Sequence, residues 1–323
     1  MELSRDLEGK TIVVTGATAG IGHATARALA ARGAYVIGVG RSATRGLEAH
    51  NAILADYPGA TLSFLVADLS SQRQVRDLAA AIRARLASAG EPKIDVLVNN
   101  AGAVSSWYVA TEDGYELQFA VNHLAPFLLT HELMPLLRQA PAARIITVSS
   151  GSHRRARMHW SDVMYHRRYS CLLAYKQSKL ANVLFTFELN RRLGASSRLR
   201  AYAVDPGLVN TEIGMKGTGG IEQWVWRRRK TNGVSPEQGA ATIVFLAADP
   251  SVEGSCEFYW KDCRPAQPSP YARRAEEAAR LWALSERLCG IHWAPDLEER
   301  HGRMDDPRSQ SGQAQDLLQQ PAP

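Results

Sequence analysis

Short apolar runs separated by longer segments of helical period constrain this chain more than any other feature of its sequence. The runs are Thr11–Thr15, Tyr35–Val39, Leu62–Ala67, Val96–Asn99, Arg144–Val148, Arg200–Val204 and Cys256–Trp260. Between most of them lie alanine-, leucine- and arginine-rich stretches, at residues 21–32, 71–88, 114–138 and 173–193. Strands this apolar are covered on both faces, and strands joined through helices run parallel. The pattern predicts an α/β protein built on a doubly wound parallel sheet of about seven strands, with helices on both faces. Gly33 stands where the first helix stops, and Pro58-Gly59 punctuates the start of the third strand. No repeat or linker interrupts residues 1–295, which read as a single domain with a small helical cap at about 211–234. Residues 296–323 turn polar and read as a disordered tail.

Composition excludes several classes of function. Hydrophobic residues at 45% and charged residues at 22% suffice for a buried core. The excess of 38 basic over 32 acidic residues is too mild to establish nucleic-acid binding, and no aromatic platform interleaves with the basic runs. No stretch nears the roughly 18 apolar residues of a membrane span. The first residues are polar and acidic, so the reading is a cytoplasmic protein without signal peptide or transmembrane anchor. Cys171, Cys256, Cys263 and Cys289 form no CxxC pair and read as reduced thiols. No histidine spacing fits a metal motif, so no metal is expected.

The first strand runs directly into Thr15-Gly16-Ala17-Thr18-Ala19-Gly20-Ile21-Gly22, which opens a helix. Glycine permits a sharp turn and close approach to a pyrophosphate, and a helix N-terminus presents unpaired N–H groups. The pattern points to a dinucleotide; a plain tight turn is the alternative. The second strand ends in Arg41-Ser42, where an acidic residue would bind a ribose 2′-hydroxyl and an arginine suits a 2′-phosphate. This favours NADP(H), with NAD(H) the alternative and a surface arginine the bland reading. Asp68-Leu69 and Asn99-Asn100-Ala101-Gly102 end the third and fourth strands, at the carboxyl edge where such cofactors lie. Asp68 also suits a helix cap near Ser70 or Ser71.

Tyr175 and Lys179 stand four residues apart, on one face of a helix. An ammonium beside a phenol, whose free pKa is about 10, favours the phenolate and suits proton exchange with a carbonyl or alcohol oxygen. Pro126 lies four residues after Asn122 and has no N–H to offer its carbonyl. The helix should kink there, leaving a carbonyl to hold a relay water; a simple bend over the sheet is the other reading.

In order along the chain, the glycine turn, Asp68-Leu69, Asn99-Asn100-Ala101-Gly102, Asn122-His123-Leu124, Val148-Ser149-Ser150, Tyr175 through Lys179 and Asp205-Pro206-Gly207-Leu208-Val209-Asn210-Thr211 resemble the short-chain dehydrogenase/reductase family. More narrowly, they resemble its retinol dehydrogenase-like branch. The match covers about residues 11–290 and implies a Rossmann fold and an alcohol–carbonyl oxidoreductase. It implies Asn122, Ser150, Tyr175 and Lys179 as the catalytic tetrad, with Lys179 also holding the nicotinamide ribose. It implies cofactor contacts from Gly16, Thr18, Gly20, Ile21, Gly22, Arg41, Ser42, Asp68, Leu69, Asn99, Ala101, Gly102, Tyr175, Lys179, Pro206, Gly207, Val209 and Thr211. The family match favours Ser150 over the adjacent Ser149, and only one of the two can face the site. Thr211 would serve the carboxamide or cap a helix.

Two segments bear on the substrate, expected to be an apolar carbonyl or alcohol. Residues 151–170 carry Arg154, Arg155, Arg157, Arg167 and Arg168 with three histidines, and read as a solvated basic loop or as recognition of an acidic substrate. Trp224 through Lys230 reads as a peripheral membrane contact or as tryptophans packed under the cap. The resemblance also implies a homodimer through 114–138 and 173–193, which the insert 151–170 could obstruct. The alternatives to the NADP(H) enzyme are an NAD-dependent alcohol dehydrogenase and a catalytically silent nucleotide-binding scaffold or redox sensor.

Overall fold

The chain enters its sheet in the middle, runs outward to one edge, then crosses back and builds the other half. The strands are β1 (Thr11–Thr15), β2 (Tyr35–Gly40), β3 (Leu62–Val66), β4 (Val96–Asn99), β5 (Arg144–Val148), β6 (Arg200–Asp205), β7 (Tyr259–Lys261) and β8 (Arg264–Pro265). Their spatial order is β3-β2-β1-β4-β5-β6-β7-β8. The first seven are parallel, and β8 pairs antiparallel with β7. The computed structural model describes residues 5–90, 92–195, 197–209 and 233–293. All of these elements lie in the unit Met1–His292.

The sheet has one strand more than the expected seven. Asp262 and Cys263 both take positive φ, 51° and 56°, and fold the chain back after Lys261. Two such residues between antiparallel strands match the twist of a tight hairpin. The seventh strand also begins later than expected, at Tyr259 rather than Cys256.

Seven helices of at least three turns flank the sheet among the described residues: α1 (Gly20–Ala31), α2 (Ala43–Asp56), α3 (Gln72–Ser88), α4 (Ala125–Gln139), α5 (Cys171–Leu193), α6 (Pro236–Ala248) and α7 (Ala275–Cys289). On one face, Ile12, Val14, Val36, Val98, Ile146 and Val204 form a core with Leu29 of α1, Ile53 of α2 and Ile243 and Leu246 of α6. The intervening strand residues Val13, Ile37, Leu97 and Ile145, also fully buried, alternate to the other face, where α3, α4 and α5 pack.

α7 lies over the outside of that second helix layer. Its Trp282 meets Phe127 of α4 at 5.1 Å and stacks on Phe185 of α5 at 6.0 Å between ring centres. The Arg192 guanidinium covers the same indole at 4.4 Å. At its C-terminal end, Leu288 O accepts from Gln72 Nε2 at 3.0 Å and Tyr115 Oη at 2.8 Å, and Cys289 O accepts from Arg76 Nη2 at 2.5 Å.

The insert after β5 presents its basic residues to solvent, as one of its two readings expects, but it is also packed onto the fold. Its five arginines are exposed, but His153, Met158, Met164 and Tyr165 are buried beneath them. The segment docks onto the C-terminal part of the chain. Arg154 Nη2 donates to Gln267 O at 2.6 Å, Met158 N to Tyr271 Oη at 3.4 Å, and Trp160 Nε1 to Glu277 Oε2 at 2.7 Å. Arg280 of α7 covers the Trp160 ring at 4.3 Å. Periodicity could not foresee this, because a run of exposed arginines masks the inward residues between them.

Candidate active site

The strand order reverses between β1 and β4, and a crevice opens at their carboxyl ends. Thr15 staples the two strands. Its Oγ1 donates to Val98 O at 3.3 Å and accepts from Asn100 N at 3.0 Å and Ala101 N at 3.1 Å. Asn100 Nδ2 returns the tie to Thr15 O at 2.8 Å.

The glycine turn fits a dinucleotide on its own geometry. Gly16 takes φ 69°, and a Cβ on Gly22 would collide with Gly16 O and Asn100 Nδ2. The N-cap of α1 is Ala19, which has no capping side chain, and the first turn holds no acid. Its leading N–H groups have no capping side chain among the described residues, which leaves that end suited to an anionic phosphate. Gly40 leaves room for the half-buried Thr18, whose Cγ2 a Cβ would strike. Ile21 packs on the core and faces Gly239. Arg41 is exposed at the end of β2, free to meet a 2′-substituent.

Other expected contacts are engaged locally. Ser42 Oγ accepts from Arg45 N at 3.3 Å and caps α2. Asp68 Oδ1 closes a turn on Ser70 N at 2.9 Å, while the cap of α3 is Ser71, so Asp68 is not the helix cap. Leu69 and Gly102 are half-buried at the strand ends. The side chain of Asn99 turns away from the crevice, with Nδ2 donating to Thr130 Oγ1 of α4 at 3.1 Å. Beyond β6, Gly207 takes φ 78° and its N–H meets Asp205 Oδ1 at 3.1 Å. Pro206 is half-buried beside it, and Val209 bridges to Val234. Thr211, the tryptophan–arginine segment Trp224 through Lys230 and the expected tail lie outside the described residues.

At the reacting end, Asn122 sits in a π-helical stretch, Ala120–Leu124, leading into α4, in which Ala125 N–H donates to Ala120 O. The expected kink at Pro126 takes the form of this wider turn. Asn122 is fully buried, and its amide grips the backbone of one residue on both sides: Oδ1 accepts from Ala103 N at 2.7 Å and Nδ2 donates to Ala103 O at 3.1 Å. Nδ2 also reaches Ser178 Oγ at 2.9 Å, one position before Lys179.

The two serines after β5 separate clearly. Ser149 is buried and its Oγ donates to Lys179 O at 2.7 Å. Ser150 is half-buried, and among the described residues its Oγ hydrogen-bonds Ser152, two positions along the same loop. Lys179 is almost wholly buried, and its Nζ lies 5.9 Å from the centre of the Tyr175 ring while donating to Val148 O at 3.0 Å. Burial pulls its pKa down to about 8.

Three residues beside Tyr175 escape sequence reasoning. Val104, Tyr169 and Cys171 pack with it into an apolar wall. Gln118 Nε2 donates to Tyr169 Oη at 2.7 Å, and that hydroxyl reaches Ser105 O at 2.9 Å and Glu116 Oε1 at 3.1 Å. Burial raises the Glu116 pKa against the pull of the Gln118 and Phe119 amides. No spacing announces this wall, because Val104 joins Tyr169 and Cys171 from a segment far upstream in the chain.

A family model described as short chain dehydrogenase matches residues 10–219. Mouse retinol dehydrogenase 12 is 38% identical over 287 residues, 89% of this chain and 88% of that protein. Mouse retinol dehydrogenase 14 is 37% identical over 301 residues, 88% of this chain and 87% of its own length. A crystal structure of a Mycobacterium paratuberculosis protein superimposes with a TM-score of 0.70 at 34% identity, covering 90% of this chain and 99% of that one. The angucycline C-6 ketoreductase LanV, solved with bound NADP, gives 0.63 at 26% identity over 80% of this chain and 95% of its own.

Proposed function

This chain belongs to the short-chain dehydrogenase family, and from that premise we propose that it is an NADP(H)-dependent oxidoreductase interconverting an alcohol and a ketone or aldehyde on an apolar substrate. The observation that carries the reading is the buried Lys179 ammonium beside the Tyr175 ring, at the carboxyl edge of a doubly wound sheet. When bound, the nicotinamide supplies or accepts the hydride.

The chain's own residues handle the proton and the geometry. Tyr175 Oη gives its proton to the substrate oxygen in reduction and removes it in oxidation. Lys179 supports the phenolate through its charge. Ser150 donates to the substrate oxygen and aims it at Tyr175. The Asn122 amide fixes the Ala103 backbone and Ser178, which holds the segment after β4 against α5.

Arg41 favours a cofactor with a 2′-phosphate, while the uncapped start of α1 suits the pyrophosphate common to either dinucleotide. The wall of Val104, Tyr169 and Cys171 favours an apolar substrate, and the mouse relatives are named for an apolar alcohol. A silent scaffold would have no use for a buried ammonium held beside the Tyr175 ring.

Purified protein should consume NADPH in the presence of aldehydes or ketones with apolar bodies, and NADH more slowly. Tyr175→Phe should abolish that turnover while NADPH still binds. A variant that binds and still turns over at the parental rate removes the proton-transfer role of Tyr175.

A further inference from the structure

His153 follows Ser150 by three residues and is fully buried inside the insert. Both of its ring nitrogens meet backbone. Ser269 N–H donates to Nε2 at 3.1 Å, so Nε2 carries no proton. The proton is therefore on Nδ1, which donates to Ser150 O at 2.8 Å. The backbone N–H of His153 donates to the same carbonyl at 3.1 Å. Ser150 O thus takes two hydrogen bonds from one residue, and that residue is tied across 116 positions to Ser269.

The ring is held on its other side as well. It packs on Tyr259 of β7 at 5.1 Å between centres, and Tyr259 Oη reaches Asp205 Oδ2 at 3.4 Å. Arg154 and Asp205 are the charged groups that act on it. Burial, the largest influence, holds its pKa below the ordinary imidazole value against the bond to Ser150; Arg154 adds to the fall and Asp205 opposes it.

Ser150 needs such an anchor. It sits just past the end of β5, where the ladder no longer fixes the backbone, and among the described residues its own hydroxyl is engaged by Ser152 alone. We propose that His153, locked as the Nδ1–H tautomer between Ser150 O and Ser269 N–H, is a positioning residue that sets the angle of the Ser150 hydroxyl toward the substrate oxygen. The inference rests on the oxidoreductase reading above. The insert then serves to tie the serine to the C-terminal part of the fold.

Two isosteres divide the ring's bonds. In His153→Asn the amide nitrogen reaches roughly where Nδ1 stands and keeps the bond to Ser150 O. In His153→Gln the carboxamide reaches toward Ser269 and leaves Ser150 O to the backbone N–H alone. Each variant loses one side-chain bond, so their melting temperatures should fall alike. In steady-state reduction with NADPH, the glutamine variant should lose about 100-fold in kcat, while the asparagine variant stays within about threefold of the parent. KM and the NADPH Kd should stay within about twofold in both, since the displaced hydroxyl acts on the reacting oxygen. Equal losses of kcat in both variants, following the fall in melting temperature, overturn the positioning role and leave a structural one.

A second measurement does not depend on turnover. The imidazole 15N shifts of His153 should report a protonated Nδ1 and a bare Nε2 between about pH 6 and 8. The opposite tautomer or an imidazolium overturns the proposal outright. A parent protein that reduces no carbonyl, with the Nδ1–H tautomer intact, overturns the oxidoreductase reading and the positioning role with it, but not the lock.

Discussion

Lys179 holds its ammonium where the fold leaves almost no solvent, with Val148 O as its hydrogen-bond acceptor. Its pKa is about 8 in the folded protein against an ordinary 10.5. Below pH 8 both folded and unfolded chains carry the proton, and the folded one bears the cost of burying it. Between pH 8 and 10.5 the folded chain releases its proton first, so this group's contribution to stability rises with pH across that window. Lys179→Met, free of cofactor, should melt above the parent at pH 7, and the gap should close as the pH approaches 10. A gap of the same size at both pH values removes the burial argument. The other residue-scale expectation concerns Arg41, which stands exposed at the end of β2. A charge-assisted bond to a 2′-phosphate is worth about 1.5–3 kcal/mol, so Arg41→Ala should weaken NADPH by roughly tenfold or more in a calorimetric titration. NADH should change little; equal losses for the two would return Arg41 to the solvent. Both residues are legible from position alone, because a strand end and a four-residue helical spacing fix where they stand. His153 is not, since nothing local tells a buried histidine from the exposed arginines around it.

At the level of elements, Pro126 shows what a single missing donor does. It offers Asn122 no N–H, and the preceding turn widens so that Ala125 N–H reaches back to Ala120 O. That wider turn is where the Asn122 amide grips Ala103 and Ser178. Pro126→Ala restores the donor and should tighten the turn. The expected result is a lower kcat with the NADPH Kd unchanged and no loss of melting temperature; a kcat equal to the parent's would mean the turn does not set the asparagine. The parallel strands are readable as apolar runs and the helices between them as periodic segments. The hairpin of β7 and β8 is not, since Asp262 and Cys263 take positive φ without being glycine. The docking of the insert is hidden for a related reason: its contacts with Gln267, Tyr271 and Glu277 lie more than a hundred residues away.

For the whole molecule, the position of α7 bears on how the protein would meet its own copies. The family resemblance implies pairing through α4 and α5, yet here Trp282 lies against Phe127 and Phe185 on those helices. Ser285 Oγ meets His123 Nε2 at 2.8 Å under the same helix. Pairing through α4 and α5 would have to accommodate α7, so a single chain is expected in solution. Light scattering at micromolar concentration should give the mass of one chain; the mass of two would mean that the pairing uses another surface. The same arrangement sets an order on folding during synthesis. Residues 275–289 leave the ribosome after every strand of the sheet, so the aromatic seam of Phe127 and Phe185 waits uncovered until they arrive. Nascent chains expose that aromatic surface throughout the interval, and a chaperone that shields it would act there, releasing the protein once α7 has closed.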